Sequence, residues 1–170
     1  MRFYLIGILA LATSFQVFAQ TSKVGTIDVD YILSKMPELA SVKTGVEDYG
    51  KELDTELGEK IARYDSLIAG YQANEATYGD AIKKTKQTEI IDLEGEMQQF
   101  RQNSVTLLQI KQNELMQPLY QKVGEALEAV AKEQGFSQVL SSTAAVAYLD
   151  PEFDLTIAVM KKLGLPTEEN

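Results

Sequence analysis

From Glu38 to about Gln134, apolar residues recur at intervals of three and four. In the first half they run Leu39, Val42, Val46, Tyr49, Leu53, Leu57, Ile61, Tyr64, Ile68 and Tyr71. In the second they run Ile90, Leu93, Met97, Phe100, Leu107 or Leu108, Leu115, Leu119, Val123, Leu127 and Val130. A mean spacing of about 3.5 lays one narrow stripe along one helix face, the coiled-coil pattern. An isolated helix has nothing to bury that stripe against, so the two halves must pair with each other, with copies of themselves or with a client. Between them lie the turn formers Asn74, Thr77, Gly79 and Asp80, with Asp80 suited to cap a helix that starts at Ala81. The pattern predicts an antiparallel helical hairpin arm over 38–118, its tip near 74–80. Gly135 is the expected stop of the second helix. Pro118 lies inside that helix, removes one backbone bond and predicts a kink, making it the candidate arm hinge. Gly45, Gly50, Gly58 and Gly70 each cost about 1 kcal/mol in a helix interior, which suits a bendable arm better than a rigid rod.

On either side of the arm the period changes. Val24, Ile27 and Val29 read as a strand, interrupted by Gly25, and Asp28 or Asp30 can cap a short helix carrying Tyr31, Ile32 and Leu33. Pro37 and Glu38 suit the first turn of the long helix. After Gly135, Phe136 to Leu140 and Ala145 to Leu149 read as two short strands, broken by Asp150-Pro151. Asp154 can cap a last helix carrying Leu155, Ile157, Ala158, Met160 and Leu163, closed by Gly164 and Pro166. The segments 20–37 and 119–170 must therefore meet in one small β-rich body, with Val24, Ile27, Val139 and Val146 as its candidate core. The fold class expected is α+β, mostly α. A body of about 70 residues is small for independent stability, so oligomerisation through it is expected.

Charge narrows the function. The chain has 16 basic and 25 acidic residues, a formal net charge of -9. That argues against nucleic acid, whose binding needs a basic face. Without cysteine or histidine the chain has no disulfide, no thiolate chemistry, no Ser-His-Asp triad and no histidine-ligated metal. Asp28 and Asp30 stand two apart, but no further ligand type lies nearby. No catalytic, metal or cofactor-binding residue is assigned, and an enzyme is not expected. Arg2, the apolar run Leu5 to Ala12 and Val17-Phe18-Ala19 predict an export signal over 1–19, cut after Ala19. The other reading of that segment is a membrane anchor, for which the run is short.

Two surface features remain. Tyr49, Tyr64, Tyr71 and Tyr78 are separated by 15, 7 and 7 residues and share roughly one helix face. Tyrosine offers an apolar ring with a hydrated tip, so these four either face a client or fill the hairpin seam. Lys83, Lys84 and Lys86 cluster just past the tip. They are either an ordinary solvated surface or a contact for anionic lipid or lipopolysaccharide.

Over essentially its whole length after the signal, the chain resembles the Skp/OmpH family of periplasmic chaperones. The resemblance is carried by Val24-Gly25-Thr26-Ile27-Asp28-Val29-Asp30-Tyr31-Ile32-Leu33, by the heptad hairpin, and by Gly135-Phe136 through Ala144-Ala145-Val146-Ala147-Tyr148 and Asp154 to Gly164. It implies a jellyfish-like homotrimer whose bodies associate and whose three arms enclose a cavity. It also implies an ATP-independent holdase for unfolded outer-membrane β-barrel proteins, needing no cofactor. Known members are strongly basic, and this chain departs from them in being acidic. The alternative function is a structural coiled-coil spacer or adaptor of the cell envelope, which would bind folded partners.

Overall fold

A computed structural model describes residues 22–142 and 146–167, so the expected export signal lies outside the described residues. In chain order these residues form strand β1 (Val24–Ile27), helix α1 (Val29–Lys35) and the long helix α2 (Glu38–Asn74). A 3-10 turn (Glu75–Thr77) leads to the longer helix α3 (Asp80–Glu133). Strand β2 (Gln138–Ser141), a second 3-10 turn (Pro151–Phe153) and helix α4 (Thr156–Lys162) complete the order.

Among the described residues the sheet has one pair of strands. β1 and β2 run parallel, with Val24 opposite Gln138, Gly25 opposite Val139, Thr26 opposite Leu140 and Ile27 opposite Ser141. Parallel neighbours need a long crossover, since a tight turn can only reverse the chain. Here the whole arm is that crossover. On its other edge β1 makes one further bridge, Thr26 with Asp154, and the Leu155 N–H donates to the Thr26 carbonyl at 2.9 Å. The second strand expected over 145–149 does not form: the described part, Val146 to Leu149, is irregular. Alternation alone makes a strand only where an edge accepts it, and Tyr148, 82% exposed, has no surface to pack on.

Local chemistry sets the element ends. Asp28, not Asp30, caps α1, its carboxylate accepting the Tyr31 N–H at 2.8 Å. Asp154 accepts the Thr156 N–H at 2.9 Å, and the Thr156 hydroxyl accepts the Asp28 N–H at 2.9 Å, which ties the start of α4 to the end of β1. Gly135 and Gly164 adopt φ of 73° and 70°, the left-handed turn that ends α3 and α4. The Phe136 N–H then reaches the Ala131 carbonyl, and the Leu165 N–H the Met160 carbonyl, both at 2.9 Å. At the tip the expectation for Asp80 is corrected. It is the first residue of α3, and Gly79 occupies the cap, its carbonyl accepting the Ile82 and Lys83 N–H groups at 3.0 Å.

One buried cluster holds the body. It takes Ile27 from β1; Ile32, Leu33 and Met36 from α1 and its end; Phe136; and Leu155, Val159 and Met160 at α4. It also takes Val42 from α2 and Leu119, Val123, Ala126 and Val130 from α3. The root of the arm is thus part of the body's core. α3 passes through Pro118 as one uninterrupted helix. At 1.5 Å per residue α3 is about 80 Å long, and most of it lies outside the body.

Candidate functional site

The arm is a two-helix coil whose facing pairs can be followed from root to tip. At the root the Lys122 ammonium donates to Glu38 at 2.7 Å. This bond, then the Glu38 backbone N–H, holds the Glu38 carboxyl below its ordinary value. Further out Leu115 lies against Gly45 and Leu108 against Gly50. The Lys111 ammonium sits 5.7 Å from the centre of the Tyr49 ring, and Lys60 5.4 Å from that of Phe100. Both lysines lay their stems along the seam and close its edges. Near the tip the Gln87 amide donates to the Tyr71 hydroxyl at 2.9 Å. Between Val42 and Leu119 the seam buries only Leu53, Leu93 and Met97. It is therefore thin, held by a single line of contacts.

The four tyrosines are all half-buried. Tyr71 and Tyr78 meet at the tip, ring centres 6.3 Å apart and tilted by 43°. The Tyr71 hydroxyl donates to Glu75 at 3.1 Å while accepting from Gln87. Desolvation first, and the bond to Glu75 second, raise the Tyr71 phenol above its ordinary value. These two rings wall a cavity of about 450 Å³ between the helices, with Arg63, Gly70, Lys86, Glu89 and Glu96 also on it. Tyr71 is a seam residue in its contacts. Tyr49, under Lys111, lies at the seam edge.

The lysine cluster is divided. Lys86 pairs with Glu89 at 2.7 Å, which raises the Lys86 ammonium above its ordinary value. Lys84 is exposed and Lys83 half-buried. Of the four valine and isoleucine positions of the body, Ile27 is buried and Val139 packs against the core. Val146 is half-buried, and Val24 stays 39% exposed at the start of β1. Leu140 and Tyr31 are also exposed on the body, and among the described residues β2 has no second neighbour in the sheet. Pro118 is exposed, beside the buried Leu119. Asp28 and Asp30 do not converge on one point: Asp28 is engaged as a cap. No described helix is long and apolar enough to cross a membrane.

What the apolar stripes do not reveal is how much apolar surface the outer faces of α3 keep. Ile82, Ile91, Val105 and Ile110 are all exposed there. A reading of period alone assigns every aliphatic residue to a seam and passes over these.

Known proteins share this design. The family model for outer membrane protein (OmpH-like) matches residues 23–163, the body and the arm together. The chaperone protein Skp of Yersinia enterocolitica is 27% identical over 162 residues, covering 91% of this chain and 93% of the relative. An OmpH-like outer membrane chaperone candidate of Caulobacter crescentus, solved by crystallography, superposes with a TM-score of 0.63 at 16% identity. That match covers 84% of this chain and 83% of the other, and at such identity it speaks for the fold. A parallel strand pair closed by a helical hairpin, matched from body to tip, places the chain in the Skp/OmpH family of outer-membrane chaperones.

Proposed function

We propose that the protein is an ATP-independent holdase that binds unfolded outer-membrane β-barrel proteins in the periplasm and delays their aggregation. The observation that carries this reading is the arm. It projects far beyond the core, is held by a thin seam, and leaves large aliphatic side chains open to solvent. An arm that only had to span a distance would bury them. A folded partner would need one well-packed patch, whereas scattered apolar side chains suit a client of many conformations. An unfolded barrel exposes alternate apolar residues along each strand segment and can meet several such points weakly. The working form is a homotrimer joined through the bodies. The exposed Val24 and Leu140 and the edge of β2, unpaired among the described residues, support that assembly, because such an edge is a ready surface for another chain. Three arms around one client raise the effective concentration of contacts, so each can be weak and release needs no energy source. We assign it no enzymatic reaction and no cofactor.

The test is light scattering of a urea-unfolded β-barrel protein diluted into buffer with the purified chain. Suppression is expected from the whole protein. It should be lost when residues 51–107 are replaced by a short flexible turn. That cut keeps Gly50 and Leu108, which face each other, and leaves Val42, Leu115 and Leu119 on the body. If the shortened protein suppresses aggregation as well as the full chain, the arm is not the binding element. A spacer would leave the scattering unchanged at full length too.

A further inference from the structure

The helix α3 carries a second stripe that faces away from the seam. Asn103, Thr106, Ile110, Asn113, Gln117 and Tyr120 recur at intervals of three and four, and all six are exposed. They cover about 25 Å of helix at 1.5 Å per residue. None is charged. From Met97 to Gln121 the only charged residues of α3 are Arg101, Lys111 and Glu114, and Lys111 is turned to the seam over Tyr49. The opposing stretch of α2, Glu38 to Ala62, carries seven carboxylates and three lysines. An ordinary solvated surface is about a quarter to a third charged. The two faces of one hairpin are therefore unlike: one acidic, the other almost uncharged, rich in amides, and dotted with aliphatic residues. Ile110 is 56% exposed and Tyr120 50%.

We propose that this stripe holds the main chain of an extended, weakly charged polypeptide. The inference rests on the holdase reading and names the surface and the chemistry that would do the holding. An unfolded segment presents unpaired N–H and C=O groups at every residue. A primary amide has two donors and an acceptor, so it can pair with either group whatever the client's sequence. Some of these amides are already ordered along the helix. Gln99 donates to Asn103 at 2.9 Å and Gln109 to Asn113 at 3.1 Å. Each pair leaves the glutamine carbonyl and the asparagine NH2 for an outside partner. Pro118 adds a main-chain acceptor. It has no N–H, so the Glu114 carbonyl lacks its helical donor. Glu114, whose carboxylate pairs with Lys111 at 3.6 Å, lines one shallow groove with Ile110, Asn113, Gln117 and Tyr120. Ile110 and Tyr120 supply apolar contact at two places on that groove.

The occupant is an extended chain and not a second arm. A helix pairing along this stripe would present backbone groups already satisfied internally, and the amides would gain nothing. It would also want apolar knobs at these positions, where four of the six are polar. Charge points the same way. With a net charge of -9 the protein repels acidic segments from most of its surface, and this face is where the repulsion is least.

The experiment compares full-length wild type with Asn103→Asp/Asn113→Asp/Gln117→Glu. These near-isosteric changes put carboxylates on an exposed helix face. The control, Ser41→Glu/Thr44→Glu/Thr55→Glu, puts as many on the exposed face of α2. Affinity for a labelled, urea-unfolded eight-stranded barrel is measured, with the assembly mass by sedimentation. The stripe variant should bind about tenfold or more weakly, since its acceptor-only groups displace the amide donors. The control should stay within about threefold, the scale of exposed charge effects. Both masses should match wild type. A second arm uses a barrel-strand peptide as competitor, alone and N-methylated at alternate residues. The methylated peptide should compete about tenfold less well, having lost backbone donors. Equal binding by the stripe variant, an equal loss in the control, equal competition by the two peptides, or a changed mass in the stripe variant would each overturn the assignment. A changed mass would make the face an interface between copies. Failure of wild type to bind at all would instead remove the holdase reading itself.

Discussion

Gly25 is a glycine because the core leaves it no room. A Cβ built there would lie 2.5 Å from Leu155 Cδ1 and 2.8 and 2.9 Å from two carbons of the Phe136 ring. Carbon atoms in contact normally stand about 3.5–4.0 Å apart, so the Gly25→Ala variant must open a gap of about 1 Å. Neither neighbour yields freely. Leu155 is 1% exposed. The Phe136 ring is held edge-on by Phe153 at 6.3 Å and capped by the Lys23 ammonium at 4.0 Å. The strand cannot retreat either, being paired to Val139 on one side and tied through Thr26 to Leu155 on the other. Overpacking of this kind costs about 2–3 kcal/mol. For a chain of this size that lowers the melting temperature by about 5–10 °C. Gly58→Ala is the matched comparison. Gly58 lies in the interior of α2 with nothing within 4 Å of the added methyl, so it should gain about 1 kcal/mol. Urea unfolding followed by far-UV circular dichroism, at one chain concentration for all variants, measures both. A double-mutant cycle of Gly25→Ala with Leu155→Ala should show positive coupling, because the smaller side chain relieves the clash. Gly25→Ala with stability within about 0.5 kcal/mol of wild type would refute this packing.

Among the described residues Thr26 Oγ1 is buried without a hydrogen-bond partner, so Thr26→Val, which keeps the shape, should raise stability by about 1 kcal/mol in the same urea assay. Glu38 and Glu128 both have carboxyl groups held below their ordinary value of 4.5, by Lys122 and Lys132 respectively. Their contributions are therefore present above that value and lost as pH falls through the lower folded values. Protection of the amides at the first turn of α2, measured as hydrogen exchange relative to the intrinsic rate at each pH, should fall on acidification below pH 4.5, and Glu38→Gln should remove that carboxylate's share of the change.

The hairpin is legible in the sequence because two independent signals agree: a period of about 3.5 in apolar residues and a polar break at Asn74 to Asp80. The cap at Asp28 is legible for the same reason, an acidic residue set just before an apolar run, whereas Asp154 stands one residue ahead of Leu155, which occupies the cap of α4, and bonds the helix's first N–H. Strand pairing is less so. The alternation in Val24 to Val29 and Phe136 to Leu140 marks strands, but nothing local says that they lie parallel with the arm as their crossover. The pattern after Ser142 looks like a strand in isolation and, in its described part, finds no partner in the chain. Tyr71 shows the limit of side-chain chemistry as a guide. Its amphipathic ring suits client and seam alike, and only the bonds to Glu75 and Gln87 assign it to the seam. The amide-rich face of α3 is marked in the sequence only by a run almost without charge. A search for apolar periodicity passes over it, because its mark is what it lacks.

The same packing bears on where the arm bends. Pro118 marks a lost backbone bond, the usual sign of a kink. Its neighbours Leu115 and Leu119, with Val123, are packed into the body or against it. A bend there must move those side chains through a dense core, where interiors resist even small displacements. Farther out the situation differs. Gly50, Leu53, Leu57, Arg101, Ser104 and Leu108 surround a gap of about 240 Å³ in the seam. Gly50 has no side chain to lose contact. Ser104 turns its hydroxyl back to the Phe100 carbonyl at 2.8 Å, a bond that loosens and bends helices. A bend at this level disturbs one buried seam residue, Leu53, where a bend at Pro118 disturbs several residues of the core. We therefore propose that the arm bends mid-way, between Gly50 and Ser104, and not at Pro118, where the root is packed against the core. The uncharged stripe of α3 starts one residue before that level and continues toward the root, so bending there swings the tip while the amide face stays fixed to the body.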